Sequence, residues 1–71
     1  MNANDWLQAF AKKLGTEPPT NEEFKAILDL AAEAAHSSER VAAPAAAWLA
    51  AKAGADLSEA LASAEEVASS A

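Results

Sequence analysis

The sequence contains no cysteine, and among its 71 residues it has only two glycines, three prolines and four aromatic side chains. Without cysteine, the chain can form neither a disulfide framework nor a thiolate metal site. No apolar run is long enough to cross a membrane, and no basic start followed by an apolar stretch and a cleavage site is present. We therefore expect no membrane span and no secretory signal. The missing cysteine is compatible with the cytoplasm, where we expect the protein to act.

Positive charge is scarce too, because 11 acidic residues outweigh five basic ones and leave a net charge of −6. Phosphate binding requires clustered Lys and Arg, whereas the five basic residues here are scattered, so we expect no nucleic-acid partner. Binding to an anionic membrane surface is disfavoured for the same reason. From Asp56 onward the chain has four acidic residues and no basic one. Such a segment could meet a basic partner, but it is more often a solvated helix face.

Alanine is abundant, at 22 of the 71 residues. It favours helix strongly but buries little area, so few large apolar side chains are available for a core. A chain of this length buries only about 60% of the surface that its unfolded form exposes. We therefore expect one small domain, residues 1–71, with a thin margin of stability and alanine faces that let helices approach closely.

The sequence predicts an all-α fold, a compact bundle of four short helices in an orthogonal or up-down arrangement. Apolar periodicity and capping signals place the helices at about residues 4–14, 20–38, 44–53 and 57–69. No segment has the alternation of apolar and polar residues that is typical of a strand.

The predicted boundaries rest on local signals. Asn4 is the expected N-cap of the first helix, and Gly15 is expected to end it in the left-handed conformation. Thr20 followed by Glu23 forms a capping box, the strongest start signal in the chain. Gly54 is expected to end the third helix.

A break is predicted between the second and third helices. Proline is tolerated in the first turn of a helix and disfavoured inside one. The second helix therefore either stops near Ser37 or continues past Arg40 toward Pro44, and we favour a break or sharp kink before Pro44. Asp56 with Glu59 predicts a second capping box, which opens the fourth helix.

The candidate functional residues are His36, Arg40 and Trp48, which with Pro44 recur every four residues. They include the only histidine and the only arginine. On one helix they would form a stripe; with a break at Pro44 they would line a corner, His36 and Arg40 on one arm and Trp48 on the other. Arg40 could supply a bidentate contact to an anion or carboxylate, His36 a second donor and Trp48 an apolar anchor.

Each of these residues also has a structural interpretation. Glu33 and Glu39 could form an internal charge network with His36 and Arg40, which we weigh above ligand binding. Tryptophan is more often a packing residue, and Trp48 shares its face with Pro44.

Catalytic and metal chemistry are not expected. Glu33 and His36 have the Glu-x-x-His spacing of carboxylate-bridged metal bundles, but only one copy is present, so a site would require a symmetric dimer. Ser37 and Ser38 follow His36, yet sequence neighbours on a helix do not face each other and no orienting carboxylate is evident. Domains this small rarely enclose a substrate-sized pocket. We expect no enzyme activity, no metal and no cofactor.

Three groups of residues form a distinctive pattern: Asp5-Trp6 with Leu14-Gly15, Ala35-His36-Ser37-Ser38-Glu39-Arg40 with Ala43-Pro44, and Trp48-Leu49-Ala50. This pattern resembles a small actinobacterial helical domain family of unknown function, found alone or fused to molybdenum cofactor guanylyltransferase. Its domains also occur near genes for formate dehydrogenase assembly, so the resemblance implies an accessory role in molybdenum-cofactor maturation without catalytic residues. Where the family commonly has glycine in the third helix, this sequence has Ala51, which leaves the length of that helix open.

The expected function is a non-catalytic accessory or protein-interaction module, whose partner is another protein or a second copy. Two alternatives stay open: a structural homo-oligomeric bundle, in which alanine-rich faces complete the core between subunits, and a small carrier of a phosphate-bearing ligand.

Overall fold

The computed structural model describes residues 1–70 and contains four α-helices and no strand within that range. This confirms the prediction of an all-α bundle. None of these helices has the length and apolarity needed to cross a membrane. The helices are α1 (Ala3–Leu14), α2 (Asn21–Ser37), α3 (Ala42–Ala53) and α4 (Leu57–Ser70).

The start of α1 differs from the prediction, because Asn2 and not Asn4 is its N-cap. The Asn2 Oδ1 atom accepts a hydrogen bond from the Asp5 backbone N–H at 2.8 Å, and the Asn2 carbonyl accepts from the Trp6 N–H at 3.0 Å. Because the helix begins directly after Asn2, Asp5 lies in its first turn, where the helix dipole favours a negative charge. The predicted end is confirmed, since Gly15 adopts a left-handed conformation with φ 78°.

The capping box at the start of α2 is confirmed. The Glu23 N–H donates to Thr20 Oγ1 at 3.1 Å, and the Thr20 N–H donates to Glu23 Oε1 at 2.8 Å. Two backbone donors that the helix itself cannot satisfy therefore have side-chain partners. α2 is the longest helix, and the box stabilises its N-terminus, which follows the loop that contains two prolines.

Replacing Thr20 by alanine is expected to lower the free energy of unfolding by about 1 kcal/mol, because the Glu23 N–H loses its acceptor. In a domain of this size that corresponds to a fall in melting temperature of roughly 4–8 °C. Thermal unfolding followed by circular dichroism measures it. The control is Thr16→Ala, which removes an exposed threonine that caps no helix. Equal melting temperatures for the two variants would show that the box contributes little.

The break between α2 and α3 is confirmed, although α3 begins two residues earlier than predicted. α2 ends at Ser37, and the Ser37 and Ser38 hydroxyls donate to carbonyl oxygens one turn back, each at 2.6 Å. α3 begins at Ala42, so Pro44 is its third residue. The first four N–H groups of a helix have no partner within it. Proline, which lacks an N–H group, therefore removes no intrahelical hydrogen bond at this position.

The start of α4 is confirmed at Leu57, but the capping box predicted for Asp56 and Glu59 does not form within residues 1–70. Asp56 Oδ1 accepts from the Ser58 backbone N–H at 3.0 Å and from the Ser58 hydroxyl at 3.1 Å. In the same range the Glu59 carboxylate accepts no hydrogen bond from the Asp56 N–H. The nearby Ser58 donors satisfy the Asp56 carboxylate instead. Gly54, with φ 69°, ends α3 as predicted.

α2 is the central helix of the fold. α3 and α4 each pack along α2. Within residues 1–70 they contact each other much less, and α1 makes fewer contacts with the other helices than α3 and α4 make with α2. The core is correspondingly small: among residues 1–70 the buried apolar side chains are Ala11, 6% exposed, and Leu30, 3% exposed. Much of the large apolar surface therefore remains exposed.

Candidate functional site

The three candidate residues all lie on the surface, around and beyond the α2–α3 turn. His36 is in the last turn of α2, and Arg40 lies in the turn itself. Trp48 is the seventh residue of α3 and is 60% exposed. With a rise of about 1.5 Å per residue, Trp48 lies roughly 9 Å along α3 from its start, so it stands apart from the turn.

The side chains of His36 and Arg40 are not joined to each other or to a carboxylate within residues 1–70. The ion pair that this part of the chain contains is between Lys25 Nζ and Asp29 Oδ2, 3.2 Å apart on the surface of α2. The charge network of Glu33 and Glu39 with His36 and Arg40, which the sequence also allowed, does not form in the part of the chain that the structure describes. The His36 imidazole and the Arg40 guanidinium group therefore keep their hydrogen-bond donors available for a partner.

Trp48 forms a cation–π contact with Lys52, whose Nζ lies 4.8 Å from the centre of the ring. Lys52 was missed as a site residue, although its position four residues after Trp48 was a signal for it. Val41, seven residues before Trp48 on the same side, is exposed, as is Pro44. The packing role considered for this face of α3 is thus not realised within the chain. We call Val41, Pro44, Trp48 and Lys52 the outer face of α3.

A second surface feature is an apolar groove between α3 and α4, with a volume of about 570 Å³. Both helices pack on α2, and within residues 1–70 they contact each other little, which leaves a space between them. The buried Leu30 forms part of its floor, and Leu49 and Val67 on its two sides are exposed. The residues that line this α3–α4 groove are Leu30, Ala34, Ser37, Ser38, Ala46, Leu49, Ala50, Ala53, Ala55, Ala60, Ser63, Ala64, Val67 and Ala68.

The candidate residues do not belong to the groove. None of His36, Arg40 and Trp48 lines it, although Ser37 and Leu49, the sequence neighbours of His36 and Trp48, do. A step of one residue rotates a side chain by about 100° around a helix, which directs His36 and Trp48 away from the groove. The outer face of α3 and the α3–α4 groove are therefore two separate surfaces.

A third feature is an apolar ridge on α1. Trp6, Phe10 and Leu14 are spaced four residues apart and exposed, and the rings of Trp6 and Phe10 lie 5.0 Å apart with a 30° tilt. The structure leaves this row of apolar side chains on the surface. We call these three residues the α1 ridge.

The acidic residues do not form a metal centre in the part of the chain that the structure covers. Glu22 and Glu23 line a shallow cleft of about 410 Å³ together with Asp56. Even so, no group of three or more His, Asp or Glu side chains in residues 1–70 is placed to hold a metal ion.

Comparison with known proteins identifies a family but no relative of known activity. A family described as a domain of unknown function (DUF6457) matches residues 1–71. No curated protein and no solved structure matches the chain.

Proposed function

We propose that this chain, which belongs to the DUF6457 family over residues 1–71, is a non-catalytic module that binds another protein through the outer face of α3. The observation that carries the proposal is the 60% exposure of Trp48 beneath the ammonium group of Lys52. A tryptophan exposed on a domain with so small a core is an apolar surface in contact with water, which a partner protein could bury. Tryptophan, tyrosine and arginine dominate the binding energy of protein interfaces.

The neighbouring groups indicate the chemistry of the partner. Val41 and Pro44 extend the apolar area along α3, while Lys52 at one end and Arg40 at the other bring positive charge to a chain that is acidic overall. Arg40 has no carboxylate partner within residues 1–70, so its guanidinium group can form a bidentate contact. The partner surface is therefore an apolar pocket flanked by carboxylates.

The resemblance noted in the sequence suggests where such a partner acts. Domains of similar pattern are fused to molybdenum cofactor guanylyltransferase, which supports an accessory role in molybdenum-cofactor maturation or formate dehydrogenase assembly. Under this proposal the module works in the cytoplasm and holds no cofactor itself. Its contribution is to recruit or position an enzyme.

Replacing Trp48 by alanine is expected to weaken partner binding by about 2 kcal/mol, or roughly thirtyfold in Kd, since an anchor residue is lost. The fold should persist, because the side chain is mostly exposed. The measurement is quantitative affinity capture from the native cell, with the wild-type and variant chains as bait.

The matched control is Leu49→Ala, the next residue of the same helix, with a side chain 58% exposed on a different face. Proteins retained by the wild type and by Leu49→Ala but lost with Trp48→Ala would support the proposal, and a guanylyltransferase or formate dehydrogenase factor among them would support the finer role. If every retained protein binds Trp48→Ala as well as the wild type, the outer face of α3 is not the binding surface.

A further inference from the structure

The α3–α4 groove has the form of a receptor for a helix. Its walls are two helices that both lie on α2, and its floor includes the buried Leu30. Most of the lining residues are alanines, which allow another helix to approach closely. Leu49 and Val67 remain exposed because no side chain of residues 1–70 fills the space between them. A helix carrying a narrow row of large apolar side chains would cover both.

The α1 ridge supplies such a row. Trp6, Phe10 and Leu14 project from consecutive turns of one helix, and all three are exposed. α1 is held to the rest of the fold beside this row, where Ala11 is buried and Leu7 half-buried, and between 46% and 62% of each ridge side chain remains exposed. The ridge is therefore available while α1 stays in place.

The charges beside these two surfaces are complementary. Glu59 and Glu66 lie four residues before and three residues after Ser63, which lines the groove, so both follow the α4 rim. Residues 56–70 carry no basic side chain that would neutralise this rim. On α1, Lys13 lies three residues after Phe10 and so flanks the ridge. The basic flank of the ridge therefore matches the acidic α4 side of the groove, whereas Lys52, three residues after the lining residue Leu49, borders its α3 side.

From this match we propose that the chain self-associates, with the α1 ridge of one copy seated in the α3–α4 groove of another. A second copy is the favoured occupant because each copy carries both surfaces once. The two aromatic rings bury at most about 150–250 Å² each, so one such contact is well below the roughly 1,200 Å² of a stable interface. Association is accordingly weak and depends on concentration, and it strengthens if a two-fold axis forms the contact twice.

This self-association uses neither Trp48 nor Lys52, so it stands or falls independently of the proposed partner binding. The test uses the purified full chain, whose mass is measured by sedimentation from micromolar to millimolar concentration. The wild-type mass is expected to rise with concentration, and Trp48→Ala is expected to behave in the same way. A wild type that stays monomeric at millimolar concentration overturns the proposal.

Two variants address the two surfaces separately. Phe10→Glu in the ridge and Val67→Glu in the groove are each expected to weaken self-association by at least about tenfold, since a charge would enter an apolar contact. Leu28→Glu is the matched control, because Leu28 is an equally exposed apolar residue outside both surfaces. Mixing Phe10→Glu with Val67→Glu should restore association, because the first retains an intact groove and the second an intact ridge. Failure of the mixture to associate, with both variants helical, contradicts the proposed pairing.

Adjacent lysines provide a test that spares the fold. Lys13→Glu reverses the charge that flanks the ridge and is expected to weaken self-association roughly threefold, within the range of a surface ion pair. Lys12→Glu makes the same change in net charge about 160° from Leu14 around α1, and it is expected to have a smaller effect. Both side chains are exposed. Equal effects of the two substitutions would mean that net charge alone governs association, and would overturn the assignment of Lys13 to the interface.

Discussion

Replacing Leu30 by alanine is expected to destabilise the protein by about 2–5 kcal/mol, the usual range for a leucine removed from a packed position. Leu30 is 3% exposed, while no other leucine, isoleucine, valine or aromatic side chain in residues 1–70 is buried to that extent. It lies on α2, against which both α3 and α4 pack. A domain of this length is stable by only roughly 4–10 kcal/mol. The single substitution therefore removes about half of its stability.

Chemical denaturation followed by circular dichroism measures this loss. The matched control is Leu28→Ala, the same chemical change two residues earlier on α2, where the side chain is 55% exposed. Apart from the small difference in helix propensity between leucine and alanine, the control is expected to change the free energy of unfolding by well under 1 kcal/mol. Similar losses for both variants would contradict the placement of the core at Leu30.

Replacing Ala11 by aspartate is expected to cost about 3 kcal/mol or more, because the site is 6% exposed and burial strips a carboxylate of its hydration. Ala11 is the buried residue of α1. The helix can avoid burying the charge only by separating from the rest of the fold. We therefore expect α1 to detach, with a change in Trp6 fluorescence before the other helices unfold.

The control for this substitution is Ala9→Asp, on the exposed side of the same helix. It introduces the same charge and the same loss of helix propensity, about 0.7 kcal/mol at most. The difference between the two melting temperatures therefore isolates the burial of Ala11. If Ala9→Asp is as damaging as Ala11→Asp, α1 is held by its helical propensity and not by its packing.

The helix boundaries that could be predicted are those decided by neighbouring residues. The Thr20–Glu23 box and the left-handed Gly15 and Gly54 depend on bonds that span three to five residues, and all are present. The start of α1 was predicted wrongly because Asn2 and Asn4 are both acceptable caps. Which of the two asparagines becomes the cap depends on where the first backbone hydrogen bonds of the folded helix form.

The candidate site was predictable as a set of residues but not as a surface. The spacing of His36, Arg40 and Trp48 and the break at Pro44 were sufficient to place two of the three beside a turn. Whether Arg40 pairs with a neighbouring carboxylate, and whether Trp48 packs inside or faces outward, depends on side-chain contacts that the spacing does not determine. Among residues 1–70 Arg40 has no carboxylate partner, and Trp48 is 60% exposed to solvent.

By itself the sequence determined the number of helices, most of their ends and the break between α2 and α3, because capping, proline and glycine act over a few residues. Only the tertiary structure decided that α3 and α4 both pack on α2 and leave an apolar groove between them, and that the α1 ridge remains exposed. Those features depend on contacts between residues far apart in the chain. Alanine-rich faces constrain such contacts weakly, since they are compatible with many ways of packing one helix against another.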